Sequence, residues 1–476
     1  MNPSCFTKNK NSHEQNQHAS SIRPVKNNFV RMKQKEIFSV LFLVLLTAGV
    51  ISAQTSSGDL TLSLKEAQEY AIVNNKMVIS AKMDVEASRM ALWETISNAL
   101  PQINASGSFT DNLKLMTTLL PGDFFGRPGE KVPVTFGSQF NSGASVSASL
   151  LLFNAPLYIG IETTKLAQKL SSESLAKSEL DTRESVSSAY FLILVSEKSL
   201  QILDGNIANL NETLKSTKVM FSAGMAEATD VDQMVSNVTM VENSRSSMQR
   251  TIELNYNLLR FQLGVAADTK IILSETLESL TSQINIEALL SQEFDQKQNV
   301  NYRIIENQEQ MSALAVKSQK ASVLPTLSGF YNYATNGMGD KAADLRWFPN
   351  SMAGFQVSIP IFASGQRYSS IRKAQINLEK TRTTKAMVSD QLLLQEKQLR
   401  YNLVNANLNY KSQKDNIDVA KRVYASMENK FRQGMASSLD LTQANSLYLQ
   451  AENNYVSALM NLLQTKLALD KLLNNM

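Results

Sequence analysis

Two periods of hydrophobic residues alternate along this chain. In the longer one, Leu399, Leu403, Ala406, Tyr410, Gln413, Ile417, Ala420, Tyr424, Met427 and Phe431 follow at spacings of four and three. A second series lies 210 residues earlier: Ala189, Ile193, Ser196, Leu200, Leu203, Ile207, Leu210, Leu214, Thr217 and Phe221. Both are mainly apolar, which is the pattern of sustained coiled-coil packing; an ordinary amphipathic bundle is the plainer alternative. The shorter period is two. Ala144, Val146, Ala148, Leu150 and Leu152 alternate with Gly143 and serines, and Ile103, Ala105, Gly107 and Phe109 alternate with polar residues. Ala353, Phe355, Val357, Ile359 and Ile361 repeat the pattern, and Leu327, Gly329, Tyr331 and Tyr333 give a weaker version. These runs predict strands at about 101–112, 142–153, 325–336 and 352–362, each long enough to cross a bilayer when tilted.

Proline separates the two regimes. Beyond residue 53, all prolines fall within 101–156 and 325–360, while 161–324 holds only Gly205, Gly224 and Gly264 as helix breakers, and 366–476 only Gly434. A helix from Leu157 to Ser222 would be ~100 Å long, longer than a compact domain. Shorter helices are expected at ~228–263 and ~296–322, then a second long one at ~363–432 with partners at ~437–473 and ~64–98. Irregular chain at 264–295 would fill the junction. Motifs recur in the same order: Phe221-Ser-Ala-Gly224-Met225-Ala226 returns as Phe431-Arg-Gln-Gly434-Met435-Ala436, Asp230 as Asp440, Gln233 as Gln443, and Leu100-Pro101 as Leu324-Pro325. An ordered series of this kind indicates internal duplication. The expected division is a leader at 1–53, a first repeat at 54–263, an equatorial connection at 264–295 and a second repeat at 296–476.

Four strands cannot close a barrel around a lumen, and open sheet edges cannot sit in lipid. A barrel must then be shared, and three chains would supply twelve strands. Segments 113–137 and 337–351 become exposed loops carrying Phe124, Phe125, Trp347 and Phe348. A soluble, half-buried sheet would show the same alternation.

The N-terminus supports the membrane reading. Lys33 and Lys35 precede the largely apolar run Ile37–Ile51, and Ser52-Ala53 offers a small-residue cleavage site before Gln54. This reads as a secretory signal peptide, with Met32 a candidate start. Residues 1–53 carry a net charge of +5 and the whole chain +4, leaving −1 for the remainder. The basic balance belongs to the leader, so a nucleic-acid partner is not expected. Cys5, His13 and His18 are the chain's only cysteine and histidines. A processed chain could build no Ser-His-Asp triad, thiolate nucleophile or imidazole metal site. No cofactor or metal is expected, and no acidic pair forms a glycosidase-like signature. With no cysteine at the expected cleavage point, a lipoprotein anchor is not expected.

With these features in place, the chain resembles the TolC family of outer-membrane efflux proteins over nearly its whole processed length. The resemblance rests on the repeated strand-pair and helical-hairpin unit, the passages Phe153-Asn-Ala-Pro156 and Pro360-Ile-Phe-Ala-Ser-Gly365, and the Phe-x-x-Gly tips. It implies an α+β membrane protein: a homotrimeric twelve-stranded β-barrel, four strands per chain, continued by a long α-helical coiled-coil barrel. The implied function is passive conduction across the outer membrane within a tripartite efflux or type I secretion system. A periplasmic adaptor and an inner-membrane pump of RND, ABC or MFS type would be its partners. A surface-displayed structural coiled-coil protein is the alternative, although it leaves the paired bilayer-length strands unexplained.

The resemblance also bears on the tips. Asp440 falls where some members place the first of two acidic residues around a closed periplasmic entrance, with Asp230 its counterpart; the second position here is Gln443. Both aspartates equally suit helix N-terminal capping. Gly224 and Gly434 read as helix C-terminal residues of positive φ. With Met225 and Met435 as adaptable apolar contacts, they form candidate adaptor-docking tips. Arg432 reads as a charge complementing the end of its helix.

Overall fold

The computed structural model describes residues 59–282 and 284–476. The leader expected at 1–53 lies outside the described residues. In chain order the elements are β1 (Leu60–Leu62), α1 (Leu64–Asn74), α2 (Lys76–Ser97), β2 (Gln102–Asp111), β3 (Met116–Pro121), β4 (Lys131–Phe136) and β5 (Phe140–Phe153). The first hairpin follows as α3 (Ala155–Ser222) and α4 (Ala228–Leu263). Next come β6 (Ile271–Leu273), α5 (Leu277–Ser282), α6 (Ile286–Ser291), α7 (Val300–Ala321), β7 (Thr326–Gly339) and β8 (Arg346–Ser358). The second hairpin, α8 (Gln366–Arg432) and α9 (Ser438–Leu472), ends the chain.

The long helices α3 and α8 contain 68 and 67 residues, or ~100 Å each at the α-helical rise. Each is accompanied by shorter helices. Near the strands, Thr95 of α2 meets Thr164 of α3 at 3.2 Å, and Arg303 of α7 pairs with Glu173 of α3 at 3.0 Å. Also there, Ser312 of α7 lies 3.1 Å from Thr381 of α8. Toward the other end, α4 lies along α3 and α9 along α8. All ten positions of the heptad series from Leu399 to Phe431 are buried or half-buried, whereas Phe221, which ends the series starting at Ala189, is exposed. Part of α3 is long and apolar enough to resemble a membrane span, but half of that stretch is buried within the molecule. Packing accounts for its composition.

The expected helix at ~64–98 is broken at Asn75, which is buried. Its side-chain oxygen accepts from the backbone N–H of Met77 (2.8 Å) to cap α2, while its amide donates to the Gln262 carbonyl (2.7 Å). Residues 264–295 are not irregular throughout. They contain α5, α6 and β6, which pairs in parallel with β1. The main core collects at this level: Val186, Tyr190, Ile193, Leu259, Leu263, Ile271, Leu277 and Leu463 pack together.

The principal sheet is antiparallel in the order β2-β5-β7-β8. Its register joins the apolar stripes of the strands on one face. Ala105 is opposite Val146, and Val146 opposite Tyr333; Ile103 is opposite Ala148, and Ala148 opposite Tyr331. The other face aligns Asn104, Ser147 and Asn332, and Ser106 with Ser145, whose hydroxyls meet at 2.8 Å. The outer edges of β2 and β8 have no strand partner among the described residues.

Three expectations are corrected here. Segment 113–137 is not a loop, because β3 and β4 form a hairpin within it. Trp347 and Phe348 lie in β8, because the ladder continues through Gly337↔Trp347. A Cβ at Gly337 would stand 3.0 Å from the Trp347 ring; glycine there leaves room for the indole and lets the strands lengthen. At its other end β8 stops at Ser358, opposite Thr326, the first residue of β7, so Ile359 and Ile361 fall outside the ladder.

Candidate functional site

The sequence-derived site residues all lie at the hairpin ends farthest from the sheet. Each long helix closes on the same hydrogen-bonded turn. Gly224 N–H donates to the Phe221 carbonyl (3.0 Å) and Met225 N–H to Met220 (2.8 Å); Gly434 donates to Phe431 (2.9 Å) and Met435 to Lys430 (2.8 Å). These paired bonds form the Schellman motif, which requires a left-handed residue at its centre. Gly224 and Gly434 supply it with φ of +72° and +71°. Met225 and Met435 follow and are 76% and 66% exposed.

Asp230 and Asp440 occupy the third position of their helices and close capping boxes. The Glu227 backbone N–H donates to Asp230 Oδ2 at 2.9 Å. The Ser437 N–H and hydroxyl donate to Asp440 Oδ2 at 3.0 and 2.7 Å. The side-chain bond from Ser438 and the backbone bond at Glu227 hold the Asp230 carboxyl below its ordinary value, and Ser437 does the same for Asp440. The capping role is thus visible for both.

The two aspartates are not equivalent. Asp230 is half-buried, and its Oδ1 accepts the hydroxyl of Ser438 from the other hairpin. Asp440 is exposed. Other contacts that sequence reasoning missed cross the same seam. Asn237 donates to Thr442 (2.7 Å), Asn206 to Asn445 (2.8 Å), and Arg432 pairs with Glu212 (3.2 Å) as well as Glu428 (2.8 Å). Arg432 therefore bridges the hairpins besides sitting at a helix end. Beneath these bonds Met234, Tyr424, Phe431, Leu441 and Ala444 form a small apolar core. Contacts between residues this far apart in sequence leave no periodic trace, so only the pairing of Asp230 with Asp440 could have pointed toward them.

A family model described as "Outer membrane efflux protein" matches residues 68–265 and 306–475. The outer membrane protein TolC of Vibrio cholerae is 21% identical over 323 residues, covering 66% of this chain and 68% of that protein. Among solved structures, CusC aligns with a TM-score of 0.69 at 16% identity, covering 86% of this chain and 92% of that one. VceC of Vibrio cholerae aligns at 0.66 with 13% identity, covering 86% and 95%. The open-state MtrE channel of Neisseria gonorrhoeae aligns at 0.63 with 14% identity, covering 86% and 88%.

Proposed function

Because this chain belongs to the outer membrane efflux protein family, residing in the outer membrane and extending into the periplasm, we propose that it is the exit duct of a tripartite efflux or type I secretion system. Substrates delivered by an inner-membrane pump of RND, ABC or MFS type, through a periplasmic adaptor, pass along it passively and unchanged.

One observation carries this reading: a four-stranded sheet with one apolar face and two open edges runs directly into helices ~100 Å long. In lipid such a sheet must find partners for its edges. Three copies pairing β8 of one with β2 of the next give a closed twelve-stranded barrel, its apolar face toward lipid and its serine-rich face toward a lumen. The helices of the three copies continue that wall into the periplasm. The chain divides into two duplicated repeats, 54–263 and 296–476, joined by an equatorial connection at 264–295 and preceded by a leader at 1–53.

The tips take two roles in this assembly. Gly224, Met225, Gly434 and Met435 form the adaptor-docking surface. Asp440, with Asp230 behind it, forms the periplasmic gate. The decisive experiment is purification from outer membranes followed by mass measurement in detergent and recording in planar bilayers. A trimer that conducts, with mixed helix and strand circular dichroism, is expected. A monodisperse monomer that retains its full strand signal would overturn the shared barrel.

A further inference from the structure

A cavity of about 290 Å³ lies where α9 meets α3 and α4, at the seam between the hairpins. Counted along the helices, it sits roughly 20–35 Å from the tips. On one side α4 presents the hydroxyls of Ser244, Ser247 and Thr251; Leu203 and Leu449 supply an apolar wall. The only charged side chain in the lining is Glu452 of α9. It is 5% exposed, and its Oε1 has no hydrogen-bond partner among the described residues.

A carboxylate in this position is costly unless something pairs with it. The groups acting on Glu452 are the Tyr448 hydroxyl, one turn earlier on α9, and Lys421 of α8; burial outweighs both and raises the carboxyl to about 7. The group therefore keeps its proton in mildly acidic solution. The space is far larger than a bare ion, and a single carboxylate with neutral hydroxyls makes a poor metal site. An anion is disfavoured because the one charge in the lining is negative.

We propose that this cavity binds a small organic cation, an alkylammonium ion whose N–H groups meet the Glu452 carboxyl and the hydroxyls of α4 while its chain lies against Leu203 and Leu449. On binding, the Glu452 carboxyl gives its proton to solvent and the ammonium takes its place as the positive partner. Because the site is built from both hairpins, an occupant ties α9 to α4 and holds the seam closed. The site lies within one chain, so its test stands apart from the channel reading.

The test is titration calorimetry on the purified full-length protein in detergent at pH 6, with n-butylammonium chloride as probe and 1-butanol as its uncharged match. Saturable binding at one equivalent per chain is expected for the ammonium alone. The apparent enthalpy should vary with the ionisation enthalpy of the buffer, reporting about one proton released. Glu452→Gln, which keeps the shape and removes the charge, should weaken binding at least about tenfold. If that variant does not fold, Ser247→Leu fills the cavity from α4 and should abolish binding instead. Equal affinity in wild type and variant, no saturable binding, or binding without proton release would each overturn the proposal.

Discussion

The hydroxyl of Ser438, at the start of α9, donates to Oδ1 of Asp230, at the start of α4, so the first turns of the two returning helices are tied together. At the 210-residue offset, Ser438 corresponds to Ala228, which has no hydroxyl to offer Asp440. If the trimer places the hairpins around one axis, seams within a chain are latched and seams between chains are not. Ser438→Ala should therefore loosen the hairpin ends, raising spontaneous conductance in bilayers without lowering trimer yield. Acid should act in the same direction. Asp230 is held below its ordinary value of 3.8, so its contribution is complete above that pH and lost as pH falls through the lowered value. Conductance of the wild type that is insensitive to Ser438→Ala would remove the latch.

Asp440 is exposed and caps α9 through its Oδ2. Three such carboxylates around an axis would concentrate negative potential and attract cations. Asp440→Asn should weaken block by multivalent cations in single-channel recordings and leave assembly intact. Wild-type block in that variant would make Asp440 a capping residue only, and the gate would have to lie elsewhere along the inner helices.

How much of this was legible in the sequence depended on periodicity. The stripe ending at Phe431 and the alternation around Val146 are local patterns, and the helices and main strands follow from them. The three-residue strands β1 and β6 are too short to show a period. Asn75 looks like any polar residue in a helix, yet it ends one helix and starts the next because its amide reaches Gln262. The repeat also hid a difference. Phe431 is 6% exposed and Phe221 48%, because only the former packs against Met234 and Leu441. The Asp230–Ser438 and Asn206–Asn445 contacts join residues more than 200 positions apart, beyond any local pattern.

The sheet register makes a sharp prediction about lipid. Val146 shares its face with Ala105 and Tyr333, and the next residue, Ser147, shares the other with Asn104 and Asn332. Val146→Arg should impair assembly by about 2–4 kcal/mol if it lies near the bilayer midplane. Ser147→Arg, on the opposite polar face of the sheet, should be far milder. Heat-stable trimer on gels measures both, and equal tolerance at the two positions would place the sheet outside a membrane.

Two glycines should fail in different ways. A Cβ at Gly434 meets nothing within 4 Å, so substitution there costs only the left-handed backbone, about 1–2 kcal/mol for an ordinary residue. Gly434→Asn should be tolerated best, Gly434→Ala less and Gly434→Val least; the last should abolish export while insertion continues. At Gly264, also left-handed, a Cβ would press against the Asn74 carbonyl oxygen and stand 2.9 Å from its carbon. Gly264→Ala should therefore lower thermal stability more than Gly434→Ala, because the rigid backbone of the junction has no room to yield. Similar melting temperatures for the two alanine variants would contradict this contrast.

Glu452 should set the pH profile of the helical seam, in the sense opposite to the tip aspartates. Burial raises its carboxyl from an ordinary 4.5 to about 7, so the folded chain holds a proton that the unfolded chain releases. Its contribution is fully present below about pH 4.5 and is lost as pH rises through 7, where the seam encloses an ionised group with no partner on Oε1. The difference across that window is on the order of 3 kcal/mol per chain. Thermal unfolding followed by the helical circular dichroism signal should show falling stability between pH 5 and pH 8, about the ionisation range of such a group. Glu452→Gln, which carries no titrating proton, should flatten that slope and gain most over wild type at the alkaline end. Tyr448→Phe, which deletes the hydroxyl that favours the ionised form, should steepen the slope and move its midpoint upward. If the wild type and Glu452→Gln curves run parallel across the window, Glu452 is already hydrated or paired in solution and the seam is not sensitive to protons.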